Sequence, residues 1–180
     1  MDCRTKRPLL FLIYPANIHD SQIFEEILEN LKKRSFLRPG AIILADKGYC
    51  SYYNYNVALK KYRVVPVIWL KENMSLSKLL SMISTPLIYF IENKIKDIIL
   101  FRKLVRVLVS YLKRLNDLKS ERSEVEDVFK LEKYGLFMDK INRFTRRSVA
   151  KFVYVNVLLI AILIRLGFIE KRVLQKLAEM

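Results

Sequence analysis

The stretch AIILADKGY, residues 41–49, decides how the rest of the chain is read. Ala41 to Ala45 is a short apolar run that follows the turn signal Pro39-Gly40. A run of this length between turn signals reads as a buried strand. Asp46, Lys47, Gly48 and Tyr49 then end it. The carboxyl ends of strands are where α/β folds place functional carboxylates, because the strand fixes the side chain and the following loop opens on a cleft. Asp46 is therefore a candidate catalytic carboxylate and Lys47 a candidate phosphate contact. Gly48 leaves room for a tight turn or for close approach of a phosphate backbone. The plainer alternative is that Asp46 only caps the next turn.

Upstream, Leu9 to Tyr14 (LLFLIY) is an apolar run ending at Pro15, which reads as another buried strand. Asp20 and Ser21 stand where a helix N-cap belongs. Ile23, Phe24, Ile27, Leu28 and Leu31 then repeat with the helical period, and the spacing predicts a helix over Ser21–Arg34 with Asp20 as its cap. Glu25 and Glu26 come early and Lys32, Lys33 and Arg34 late, which suits the helix dipole. Downstream, Ser51 to Tyr62 reads as a helix and Val64 to Trp69 (VVPVIW) as a third strand, whose Pro66 suggests an edge position or irregular pairing. Strand, helix, strand, helix, strand is the rhythm of an α/β unit with parallel strands.

After Leu70 the pattern becomes helical. Leu76 to Ile83 is a short helical segment, and Leu87 to about Lys133 contains no Gly or Pro and holds two or more helices, with a break near Asn116-Asp117. A final long helix, roughly Arg146 to Leu166, ends at Gly167, and a short one follows. The expected organisation is one domain over residues 1–180, with a helical insertion at 71–117.

Lys plus Arg number 33 against 18 for Asp plus Glu, a net charge of +15. Such an excess on 180 residues points to polyanionic partners, nucleic acid first and an anionic membrane surface second. Lys94 to Arg122 and Lys140 to Lys151 are the most basic stretches, each readable as a solvated face or as a DNA contact. Cys3 and Cys50 are too few for a disulfide framework and lack zinc spacing, and the single His19 builds no metal cluster and reads as a turn or core residue. Any metal would be a hard cation held by carboxylates. No small-molecule cofactor motif is present. The longest apolar run, Phe152 to Ile164, is shorter than the roughly 20 residues a bilayer requires and reads as a buried core helix. Tyr52, Tyr53, Tyr55 and Trp69 read as packing residues more readily than as base-stacking ones.

A second constellation lies in ERSEVEDVFKLEKYG. Arg122 and Glu126 are four apart and Lys133 follows seven later, which puts all three on one helical stripe. By itself that spacing describes an ordinary solvated helix. Together, LADKGY after a strand and Arg122, Glu126 and Lys133 on a later helix resemble the IS4-like DDE transposases. Their patterns are D-x-G-Y/F and Y-x2-R-x3-E-x6-K, and here Lys119 stands at the tyrosine position. YPANIHDSQIF is similar to the A-N-x-H-D-S segment that precedes the first pattern.

The resemblance implies a partial ribonuclease H-like α/β core with a helical insertion and a helical C-terminal part. It implies metal-dependent cutting and joining of double-stranded DNA at insertion-sequence ends, with two Mg²⁺ or Mn²⁺ ions about 3.5–4 Å apart. Asp46 and Glu126 would be catalytic metal ligands; Lys47, Lys119, Arg122 and Lys133 would contact DNA. It also implies a homodimer in the cytoplasm of a prokaryotic cell, at the nucleoid, with no membrane partner. The first carboxylate of the pattern has no counterpart on a strand here, since Asp2 follows Met1 directly. The chain is thus expected to be an N-terminally truncated transposase with little or no strand transfer. The alternatives are a non-catalytic basic DNA-binding remnant and a membrane-surface amphipathic protein.

Overall fold

The computed structural model describes residues 1–5, 7–15, 17–83, 95–118 and 145–167. The chain forms two compact units, Tyr14–Leu118 and a second made of Met1–Ile13 with Lys119–Met180.

In the first unit, helix α1 (Asp20–Lys33) buries Phe24 and Leu28 and leaves its charged residues outward, as the period required. It stops where Ser35 takes a left-handed backbone, φ 60°. Strand β1 (Ile42–Ala45) follows, then a single 3-10 turn at Lys47–Tyr49. Helix α2 (Tyr52–Asn56) starts at Ser51, whose Oγ accepts a hydrogen bond from the Asn54 N–H at 3.1 Å. It runs on as a wider π-helical segment, Val57–Tyr62, and ends at Arg63 in the left-handed region. Strand β2 (Val65–Ile68) is next. Helix α3 (Leu76–Ile83), helix α4 (Ile95–Lys113) and a 3-10 turn at Leu115–Leu118 complete the unit. The break read near Asn116-Asp117 is this last change of helix type.

The two strands run parallel, with Ile42 opposite Val65 and Ala45 opposite Ile68. Val65 N–H donates to Ala41 C=O and Trp69 N–H to Ala45 C=O. Alternate residues of β2, starting from Val65, therefore face β1, and Pro66 faces away. Its missing N–H costs the ladder nothing, which is why a proline is tolerated there. β2 is buried along its whole length, and α4 packs against it through Phe101, Leu104, Leu108 and Leu112. The Arg63 guanidinium pairs with Asp97 at 2.7 Å, joining the start of β2 to the start of α4. Tyr55 is enclosed beneath the sheet, and its hydroxyl donates to Ile68 C=O at 2.8 Å.

Two strand expectations need correction. Leu9–Tyr14 forms no strand; it is a half-buried segment without regular structure and with no ladder partner among the described residues. A strand's N–H and C=O groups must be paired, and an apolar run cannot supply that pairing by itself. β1 is also less buried than its composition implied, with Ile42 43% exposed.

In the second unit, Asp2 accepts hydrogen bonds from Arg4 N–H at 3.1 Å and Thr5 Oγ1 at 2.7 Å, so its carboxylate closes its own turn. Helix α5 (Arg146–Arg165) is capped by Thr145, whose Oγ1 accepts from Ser148 N–H, and ends before Gly167 at φ 86°. Val153, Asn156, Ile160 and Ile164 form its buried stripe, while Tyr154, Val155, Leu158 and Ile162 are exposed. By length and composition alone, Arg147–Arg165 would suffice to cross a membrane, a longer span than the apolar run read from sequence. A soluble core helix meets the same criterion.

The buried phenols make the first unit sensitive to alkali. Burial raises the Tyr55 and Tyr49 hydroxyls, and burial with the nearby Glu26 carboxylate pushes Tyr14 up to about 12, all from an ordinary value of 10.0. Above pH 10 the unfolded chain loses phenolic protons that the folded chain keeps, so the folded state binds more protons and stability falls as pH rises. Urea midpoints should hold steady below that value and decline from there through the raised values. A midpoint that does not decline by pH 11 would show that these phenols ionise equally in both states.

Candidate active site

Asp46 occupies the position its sequence context implied, directly after the last residue of β1. Its backbone is extended, φ −68° and ψ 163°, and it precedes the 3-10 turn without capping it by its side chain. Asp46 and Lys47 are both exposed. The turn is closed by Tyr49 N–H to Asp46 C=O at 3.0 Å and Cys50 N–H to Lys47 C=O at 3.1 Å. Cys50 is buried behind it, its thiol against Met74 Sδ at 3.5 Å.

The first turns of α1 lie against this loop. The Phe24 and Tyr49 rings meet at 5.9 Å between centroids. Asn54, wholly buried, donates from Nδ2 to Tyr49 C=O at 2.8 Å and to Ser21 C=O at 3.0 Å, so one amide holds both segments. Burial first, then the negative charges of Asp20 and Asp46, raises the Tyr49 hydroxyl. Two carboxylates therefore bear on one phenol, from residues far apart in the chain.

Asp20 is the residue the sequence reading misplaced. The N-cap of α1 is His19, exposed and making no side-chain cap bond, and Asp20 is the first residue of the helix. Its carboxyl group sits over Gly48. Gly48 has no positive φ, so left-handed backbone does not account for the glycine; within its 3-10 turn, the space a Cβ would need is taken by Asp20. The signal available in sequence was the pairing of H-D-S with D-x-G-Y, which does not reveal contact between them.

Arg122, Glu126, Lys133 and Lys119 lie outside the described residues. Of the basic stretch from Lys94 to Arg122, α4 turns Arg102, Lys103, Arg106 and Lys113 outward while its apolar residues cover β2. This is the solvated face of an amphipathic helix, with charge available to a polyanion. Tyr55 is a packing residue, as read; Tyr53 is 62% exposed, its hydroxyl donating to Glu25, and Trp69 is half-buried.

A family model for the transposase DDE domain matches residues 1–163. The chain belongs to the DDE transposase family. No curated protein and no solved structure matches it. The DDE transposase assignment gives the chain a transposition-related function and DNA as the substrate implied by the family. Its mixed helices and small parallel sheet are compatible with an α/β class. DDE transposases generally use divalent metal ions. Among the described residues, no group of three or more His, Cys, Asp or Glu side chains is gathered as a metal site. Asp46 is a hard oxygen donor of the right chemistry at an exposed strand tip.

Proposed function

We propose that the chain is the catalytic-type domain of an IS4-like DDE transposase with a partial ribonuclease H-like core, acting on double-stranded DNA at insertion-sequence ends. The observation that carries the reading is an exposed aspartate at the tip of a parallel strand, followed by Gly-Tyr, within a family match spanning nearly the whole chain. Asp46 and Glu126 would hold Mg²⁺ or Mn²⁺, which when bound activates water or a 3′-hydroxyl. Arg122, with its planar fork, and Lys47, Lys119 and Lys133, as point charges, would bind phosphates. Two of the pattern's three carboxylates, Asp46 and Glu126, are assigned to this chain by the reading. A homodimer and a place at the nucleoid of a prokaryotic cell belong to the same reading.

The net charge of +15 and the outward face of α4 favour a second reading, a basic DNA-binding body without catalysis. Binding through phosphates alone weakens steeply with salt and ignores base sequence. One experiment separates the two: incubate the purified chain with labelled duplex DNA across a salt series, with and without Mn²⁺. The transposase reading expects salt-sensitive binding plus weak Mn²⁺-dependent nicking that Asp46→Ala and Glu126→Ala each remove. Nicking that survives both changes sinks the site assignment. The apolar exposed side of α5 is what a membrane-surface role would use; failure to float with anionic liposomes dismisses that role.

A further inference from the structure

The contact between Asp20 and Gly48 has a direction. A Cβ added at residue 48 would strike Asp20 Oδ2 and stand 3.3 Å from both Cβ and Cγ of Asp20. The whole side chain, and not its tip alone, fills the recess the glycine leaves. Turning the carboxylate would move Oδ2 aside, but the body of the side chain would still have to give by a few tenths of an ångström. Asp20 is exposed and can do so cheaply, since water takes the released carboxylate. The helix favours the seated position, because an anion in the first turn of α1 meets the positive end of its dipole.

The turn that Asp20 covers is weakly held by itself. It is three residues long, closed by two 3-10 hydrogen bonds of poorer geometry than those of an α-helix. It nonetheless sets where the Asp46 side chain leaves the strand. Asn54 fixes the far end of the turn to Ser21 through two hydrogen bonds, and Phe24 fixes the Tyr49 ring. The middle, at Gly48, is where Asp20 sits.

We propose that Asp20 is a positioning residue for Asp46: seated in the Gly48 recess, its side chain holds the Lys47–Tyr49 turn in one form and thereby aims the Asp46 carboxylate. The consequence for cation binding rests on the reading of Asp46 as a metal ligand; the positioning of the turn does not.

The test uses the full chain, free of metal, and follows backbone amide exchange by NMR in Asp20→Ala, Asp20→Asn and Gly48→Ala. Asp20→Ala should speed exchange at Tyr49 and Cys50 about tenfold by favouring local opening, while Leu28 in the middle of α1 keeps its rate. Gly48→Ala, which leaves the charge but crowds the side chain in its recess, should act in the same direction and less strongly. Asp20→Asn keeps the shape and should restore exchange to within about threefold of the native chain. Unchanged rates at Tyr49 and Cys50 in Asp20→Ala overturn the proposal, as does a uniform acceleration that includes Leu28. Mn²⁺ titration of the same variants should show several-fold weaker binding in Asp20→Ala, recovered in Asp20→Asn. If Asp46→Asn leaves Mn²⁺ binding untouched while the exchange pattern holds, the metal reading fails and the positioning role stands.

Discussion

Replacing Asp46 by Asn weakens Mn²⁺ binding by at least about tenfold, or about 1.4 kcal/mol, and leaves folding stability within about 0.5 kcal/mol. The two halves of that expectation come from the same feature. Asp46 is exposed and follows the last residue of β1, and substitutions at exposed positions usually change stability by no more than about 0.5 kcal/mol. A hard divalent ion draws its affinity from ligand charge, and the amide removes one negative charge while preserving size. Glu126→Gln should have the same effect, and the double variant should bind the ion more weakly than either single one, since both charges would bear on it. Electron paramagnetic resonance of free Mn²⁺ measures this directly. A loss in only one of the two variants, or in neither, would mean that the two residues do not bind one ion.

The largest stability effect is expected at Leu108. It is fully buried on the face of α4 that covers β2, in line with Phe101, Leu104 and Leu112. Leu108→Ala should cost about 2–5 kcal/mol through lost transfer energy and the cavity left behind. That is a large part of the roughly 5–15 kcal/mol available to an ordinary domain. Arg106→Ala, on the outward face of the same helix, should change stability by less than about 0.5 kcal/mol. Urea unfolding measures both, as midpoint shifts at unchanged slope. Equal shifts for the two variants would contradict the packing of α4 on β2. Arg106→Ala belongs with the electrostatic reading instead and should shallow the salt dependence of DNA binding.

Much of the fold could be read locally. The period of Phe24 and Leu28, the Ser51 and Thr145 caps, and the apolar runs at Ala41–Ala45 and Val64–Trp69 each describe an element from its own residues. The parallel relation of the two strands also followed, because a helix lies between them and carries the chain back to the same end. LLFLIY was misread by the same logic: its composition suits a strand, but strand formation needs a neighbour, and composition cannot say whether one is present. The candidate site divides similarly. Asp46 was legible because strand tips are where α/β folds present acids. Glu126, Arg122, Lys133 and Lys119 were assigned only through their spacing joined to the family pattern, and they lie outside the described residues.

The amino-acid order by itself determined the segments and the charge: to within a residue or two where α1, β2 and α5 lie, that the chain turns helical after Leu70, and that a body carrying +15 suits a polyanion. Only the tertiary structure decided the register of β1 on β2, the exposure of Ile42, and the turning of Asp20 away from capping and onto Gly48. The reason is range. Helical period, caps and turns are settled by residues a few positions apart, whereas the room beside Gly48 exists only once α1 has packed on a loop more than twenty residues downstream, through Phe24 on Tyr49 and Asn54 on Ser21.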